Sequence, residues 1–489
     1  MGCEFIEEEI SKREAKRKWQ FRLLALFCAV FFSAGSHFST YAINSLKSSL
    51  KLHMALDNTQ YGAAQASMYL INTIMPLLGG IFMDRFGTAY GAVLSSSLIL
   101  LGSILVATST HMQSFPLLVV GRVFHGLGSG VIVVAQETIL GKWFSGSIIG
   151  TVIGLQIGSS RLFSFIAQGT SPSFAKAVGY YGASLWMAVG VCAISWGATL
   201  VYAFILMRAG GEVLPGRRSE FSLRRLLYLP VGFWSMPFTI MLLGGVWTPF
   251  LGSVTEFVKS RWGTTDEISA WTGSVSLVIP VLLSPSIGGI IDRFGKRSLV
   301  LFLSCILCTV SMALLGYTMI SPLVGLVLFS ISLTIGPVAL TSSVPLLLPT
   351  ELIGTGIGAH KMGLSVGVAL LHLLVGHVQD ATPNRTYAKV TPLLIAVSVA
   401  ALLISFVYAL YSHQLLGLFD APLSRRKEIL EAGGTKIPAN CSLEELDTKK
   451  LANKVLVATM GSLILVCWGV FIWSLLDSPA QYFRRFKLN

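Results

Sequence analysis

Long apolar runs alternate with short polar connections along the whole chain. Runs of spanning length fall at about 21–45, 59–83, 90–109, 115–138, 147–170 and 180–207. After a polar stretch at 208–229 six more follow, at 230–252, 267–291, 297–319, 322–347, 353–378 and 388–412. A helix of ~20 apolar residues crosses the ~30 Å hydrocarbon layer of a bilayer. Helices also satisfy their own backbone hydrogen bonds there. The pattern therefore predicts an all-α membrane protein, with a six-helix bundle over 21–207 and a second over 230–412. A tail at 1–20 precedes them and a linker at 208–229 joins them. A hydrophilic stretch at 413–454 then leads to one more uncharged run at 455–476, read as a thirteenth span before a tail at 477–489. The alternative for that run is a surface-lying or re-entrant helix.

Composition agrees with the pattern. Of 489 residues 53% are hydrophobic and 12% charged, and mean hydropathy is +0.71. A soluble domain carries about 25% charged residues. The net charge of +13 does not indicate nucleic acid, because the basic residues sit in runs between spans. Placing the N-terminus in the cytosol puts 23 of the 36 lysines and arginines on the cytosolic side and seven opposite. This is the bias expected of cytosolic loops. The three basic residues of the last tail, Arg484, Arg485 and Lys487, would then lie outside, against that trend. The sequon Asn384-Arg385-Thr386 falls in a predicted outer loop, where it is a glycosylation candidate. The N-terminal region lacks the small-residue cleavage site of a signal peptide. Gly2 and Cys3 hint at acylation, but Ile6 stands where myristoylation wants Ser or Thr. Cys305 and Cys308 form a CxxC inside a span without a second pair, which reads as a buried structural pair.

The two halves repeat each other. Gly80-Ile81-Phe82-Met83-Asp84-Arg85-Phe86-Gly87 closes the second run, and Gly288-Gly289-Ile290-Ile291-Asp292-Arg293-Phe294-Gly295 closes the eighth, 208 residues later. Gly150-Thr151-Val152-Ile153-Gly154 and Gly354-Thr355-Gly356-Ile357-Gly358 open the fifth and eleventh at an offset of 204. Two echoes at nearly one offset indicate a duplicated unit, the mark of many carriers. These paired loops resemble the signature loop of the major facilitator superfamily. Gly121-Arg122 with Gly126, Gly128 and Gly130 is similar to its fourth-helix pattern. The resemblance covers about residues 20–412. It implies two bundles rocking around a central solute site, with Asp84, Arg85, Asp292 and Arg293 in a gating role. Thr88 and Ala89 replace the usual basic pair of the first loop, which Lys296 and Arg297 keep in the second. The first glycine of each motif is expected to allow close helix approach.

Ala135-Gln136-Glu137-Thr138, Lys142-Trp143-Phe144, Gly154-Leu155-Gln156, Ser160-Arg161 and Pro349-Thr350-Glu351-Leu352-Ile353-Gly354-Thr355 resemble the lysosomal dipeptide-carrier branch. That branch implies a lysosomal or vacuolar membrane, with the plasma membrane as the alternative. It also implies that Arg161 grips the peptide. Its acidic residue of the fourth helix is replaced here by Gly130, while Glu137 lies two turns further on.

Charge inside a span is costly, ~2.5–3.5 kcal/mol for a centred arginine on insertion scales, and points to function. Arg122, Arg161 and Lys361 are the basic residues within the predicted spans away from loop ends. No acid on its own helix neutralises Arg161, which is read as a carboxylate anchor. The alternative is a structural arginine held by carbonyls. Arg122 reads equally as a gate or as a structural bond to a neighbouring helix, and Lys361 as snorkelling to the interface. His37, Tyr41 and Asn44 share one face of the first span, and Tyr69 and Asn72 are three apart in the second. With Glu137 and Trp247 they complete the candidate substrate-binding set. Trp271 is a further candidate wall of the pocket. Scarce acids in the spans favour uniport, with His37, His125 and His372 as candidate relays of a proton-coupled alternative.

The leading expectation is a carrier of small carboxylate-bearing solutes, dipeptides first. Monocarboxylates or other organic anions are the second carrier reading, and a transport-less receptor or scaffold is the reading of another class. No GxSxG, HExxH or histidine cluster suggests an enzyme, and no cofactor or metal is expected. The expected partners are the solute and the bilayer. An accessory membrane subunit stays open.

Overall fold

A computed structural model describes residues 23–24, 26–143, 149–208, 231–347, 353–415 and 443–486. The described residues form helices, some of them short 3-10 turns, joined by short loops, with no strand among them. The first half contains α1 (Ala34–Ser45), α2 (Lys47–His53), α3 (Asn58–Ile71), α4 (Met75–Phe86), α5 (Thr88–Met112), α6 (Phe115–Trp143), α7 (Ile149–Val178) and α8 (Ala183–Arg208). The second contains α9 (Ser235–Leu251), α10 (Val254–Trp262), α11 (Asp266–Ser274), α12 (Val278–Phe294), α13 (Arg297–Tyr317), α14 (Pro322–Leu347), α15 (Ile353–Asp380) and α16 (Val390–Leu415). A last helix, α17 (Leu443–Phe486), follows. The tail at 1–20, with Cys3, and nearly all of the linker at 208–229 lie outside the described residues.

Among the described residues ten helices are long and apolar enough to cross a membrane. α9 and α10, bent by 60° at their junction, pass the same test together and count as an eleventh candidate when taken as one broken span. The break follows Pro249, which donates no backbone N–H to the ladder, and the Ser253 hydroxyl donates to the Pro249 carbonyl at 2.9 Å. Span two is likewise divided, into α3 and α4, and span eight is interrupted by a 3-10 turn at Val275–Leu277. α17 begins inside the stretch expected to be a polar linker and runs 44 residues, and its part Leu451–Leu475 is long and apolar enough to span.

α1, α3, α5, α6, α7 and α8 pack together as one bundle, and α9 with α12 to α16 as the other. The bundles meet along two seams, α3 against α15 and α7 against α11 and α12. We call the end where the first span starts proximal and the other end distal. The glycine closing each repeated loop sits at the proximal end with a positive φ, Gly87 at 95° and Gly295 at 71°. A side chain is strained in that conformation, so the motif ends on glycine at both turns. The first glycine behaves otherwise: a Cβ at Gly288 would meet nothing within 4 Å, so close approach is not its role in the second loop. Glycines of α6 do serve that purpose, since a Cβ at Gly128 would collide with the Ser95 carbonyl of α5.

Candidate functional site

α7 carries more buried polar side chains than a lipid-facing helix tolerates: Gln156, Ser160, Ser164 and Gln168 are all buried. This follows from its place against α1 in its own bundle and against α11 and α12 in the other. Arg161 lies on it, half-buried, about 18 Å from the start of the helix at ~1.5 Å per residue. Its Nη1 donates to the Tyr41 hydroxyl of α1 at 3.3 Å. Among the described residues no carboxylate lies within ion-pair distance of it. The guanidinium is therefore held by one hydroxyl and is partly exposed, which leaves it able to take an anion. His37, one turn before Tyr41, is also half-buried.

Arg122 is almost fully buried and is committed to its neighbour: it donates to the Gln65 side-chain oxygen and, at 3.4 Å, to the Ala64 carbonyl of α3. Of the two readings of Arg122, this geometry is the structural bond. Gln65 then donates to Asn44 at 2.7 Å and to the Tyr61 hydroxyl at 2.8 Å. Tyr61 donates to the Gly252 carbonyl at the break of span seven, 3.0 Å away in the other bundle. Tyr69 also reaches across, stacking on His372 of α15 with centroids 5.6 Å apart. Asn44 thus belongs to a hydrogen-bonded relay inside the first half rather than standing free. Gln65 and Tyr61 were not singled out in the sequence. Their spacing of four is the signal that accompanies them.

Asn72 donates to the Ser129 hydroxyl at 3.3 Å, and a Cβ at Gly130 would lie 2.6 Å from its side-chain oxygen. Asn72 therefore fills the space that a side chain at position 130 would need. Trp247 is buried within the second bundle, its indole donating to Ser332 at 3.1 Å. Trp271, half exposed, packs its ring against Gly169 and Phe165 of α7. Glu137 lies toward the proximal end and pairs with Lys361 of α15 at 3.1 Å, across the two halves. This corrects the snorkelling expectation for Lys361, because a carboxylate of the facing bundle is within reach. The side chains of Asp84, Arg85 and Asp292 lie outside the described residues. Arg293 is exposed, with its guanidinium over the Phe294 ring. Asn384 is exposed in a distal turn. Cys305 and Cys308 are buried and unbridged.

The distal end carries a cluster that the sequence reading did not single out. Glu256 of α10 holds Lys47 at 2.8 Å through one oxygen and Lys51 at 2.7 Å through the other. Tyr387 donates to Glu256 at 2.6 Å, and Lys47 donates to Gln379 at 2.9 Å. Burial holds the Lys47 ammonium below its ordinary range despite the adjacent carboxylate. Burial and then the Glu256 charge push the Tyr387 hydroxyl up, so it stays a donor. Beside this, Asp380 at the end of α15 caps α3, accepting from the Asn58 and Thr59 backbone N–H groups at 3.2 and 2.7 Å. The side chains of Asn58 and Thr59 also donate to it. Gln168 to Thr255 at 2.7 Å and Lys176 to Glu267 at 2.8 Å close the other seam at the same end. Apart from the Tyr387–Glu256 bond, which lies within the second half, each of these bonds joins the first half to the second. A small crevice between Phe250, Phe257, Met312 and Leu394 lies inside the second bundle, away from Arg161.

Two six-helix bundles with repeated proximal turns, a polar seam and a closed distal end define a multi-pass membrane transporter rather than an enzyme. The chain belongs to the major facilitator superfamily, whose family model matches residues 25–372. It is similar to the lysosomal dipeptide transporter MFSD1 of Danio rerio, 26% identical over 422 residues that cover 83% of this chain and 91% of that protein. The protein of the same name from Bos taurus is 24% identical over 424 residues, covering 83% and 89%. Among solved structures, a point mutant of the nucleoside transporter NupG aligns with a TM-score of 0.63 at 13% identity, covering 79% of this chain and 99% of that one. At that identity the likeness concerns the fold.

Proposed function

We propose that the chain carries small carboxylate-bearing solutes, dipeptides first among them, by alternating access of its two bundles. The observation that carries this reading is Arg161, a guanidinium at mid-helix in the wall of a seam, held by one tyrosine hydroxyl and by no described carboxylate. Such a group binds a carboxylate through two parallel N–H donors. The names of the MFSD1 relatives supply the solute class and the lysosomal membrane. The N-terminus is assigned to the cytosol from the distribution of basic residues, which makes the distal end luminal. Uniport is the simplest mode, since the described carboxylates that bridge the seams, Glu137, Glu256, Glu267 and Asp380, are already paired or capping. His37, Tyr41 and Tyr69 are placed with Arg161 in the solute site, and Glu137 with Lys361 in its proximal closure.

One observation favours a second reading. Asn72 fills the space beside Gly130, so an amide stands where the resembling branch has an acid for the solute's amine. An organic anion without an ammonium group needs Arg161 alone. Thermal shift of the purified protein separates the two, because a ligand that binds only the folded state at 100 times its dissociation constant adds about 2.7 kcal/mol. Dipeptides are expected to raise the melting temperature of the wild type and to leave Arg161→Ala unmoved. Stabilisation by acetate-like or larger monocarboxylates alone selects the second reading. Equal stabilisation of both proteins by dipeptides removes Arg161 from the site.

A further inference from the structure

α17 lies outside the region matched by the family model and outside both repeated bundles, so rocking of two bundles does not by itself call for it. Its packing is specific. It lies against α3 of the first half and α15 of the second, with a further contact to the 3-10 turn Val231–Trp234 that opens span seven. Met460, Cys467, Phe471 and Ser474 are buried, and their spacings of seven, four and three put them on one helical face. On that side the Cys467 sulfur approaches the Val366 carbonyl at 3.7 Å, and at the flank Trp473, itself half exposed, meets His377 edge to face at 5.9 Å. Both partners belong to α15. Leu465 and Val466 are on the exposed side.

The seam beneath α17 is tight at its distal end. A Cβ at Gly62 would collide with the His372 carbonyl, and one at Gly376 with the Asn58 carbonyl, so α3 and α15 touch backbone to backbone. Lipid offers no hydrophobic gain for covering such a seam, and association there comes from van der Waals packing. A helix packed on both halves must slide or detach from one of them when the halves rotate, losing those contacts.

We propose that α17 is a strap across the α3–α15 seam that stabilises the distal-closed arrangement and slows its opening. The proposal rests on alternating access. Thr255 supplies the probe, because it is buried at the other seam and accepts a bond from Gln168 that parts only if the distal end opens. Full-length protein carrying Thr255→Cys, with its other cysteines replaced, is reconstituted in vesicles and labelled by an impermeant maleimide from the distal side. Phe471→Ala and Met460→Ala are expected to raise the labelling rate about fivefold or more, the lower end of ordinary coupling between sites. Phe471→Leu, a milder change that protects against misfolding, gives an intermediate rate, and Leu465→Ala on the exposed side gives none. Glu256→Gln loosens the distal closure without touching α17 and serves as the reference. Faster labelling in Glu256→Gln with unchanged rates in the α17 variants overturns the strap and leaves alternating access standing. Unchanged labelling in every variant, Glu256→Gln included, overturns both.

Discussion

The two ends of the molecule hold their halves together by different means. At the distal end Lys47 and Glu256 have side chains only 3% and 14% exposed, and the cluster draws on α2, α10, α15 and Tyr387. At the proximal end Lys361 and Glu137 form one pair, with side chains 21% and 36% exposed. A charge pair in a dry, hydrogen-bonded cluster is costly to separate, whereas one open to water is screened and contributes little. Among the described residues, therefore, the distal end is closed firmly, while the proximal pair holds lightly. Opening the distal end means re-solvating two lysines and two carboxylates together.

Three substitutions probe this asymmetry, and spin labels on the distal turns of the two halves report each by their separation. The largest effect is expected from Glu256→Ala, which leaves Lys47 and Lys51 facing each other without a carboxylate. Removing one partner of a buried pair costs ~3–5 kcal/mol, enough to make the distal-open distance dominant. An unchanged distance would mean that apolar packing, not charge, closes this end. Asp380→Asn is expected to be milder. Its amide still accepts through one oxygen but loses the other, a change of about 1–2 kcal/mol. It is predicted to broaden the distance distribution without inverting it. Glu137→Gln at the proximal end is expected to cost less than ~1 kcal/mol and to leave the distal distance unmoved. The melting temperature would show the same ranking. High salt should erase the small Glu137 effect before the Glu256 one, because screening reaches exposed pairs first.

Much of the architecture was legible in one dimension. The repeated loops at an offset of 208 announced two equivalent halves, and the positive φ of Gly87 and Gly295 explains why glycine closes each copy. Arg161 was visible because a charge in an apolar run has few explanations. The distal cluster was not legible. Lys47, Lys51, Glu256 and Asp380 lie in or beside short polar loops, where charged residues are ordinary, and Lys47 is separated from Gln379 by 332 positions. The Lys361–Glu137 pair was not legible for the same reason, the two residues lying 224 positions apart.

Local chemistry by itself thus determined that the chain crosses a membrane many times, that it is duplicated, and which buried charge demands a purpose. Each of these follows from hydropathy or from residues close together in sequence. Only the tertiary structure decided that Arg122 is tied to Gln65, that Asn72 fills the space at Gly130, and that one end is sealed by charge. It also decided that the last helix lies across a seam. Those facts depend on which helices face one another, and two halves that must move apart are joined by residues the chain keeps hundreds of positions apart.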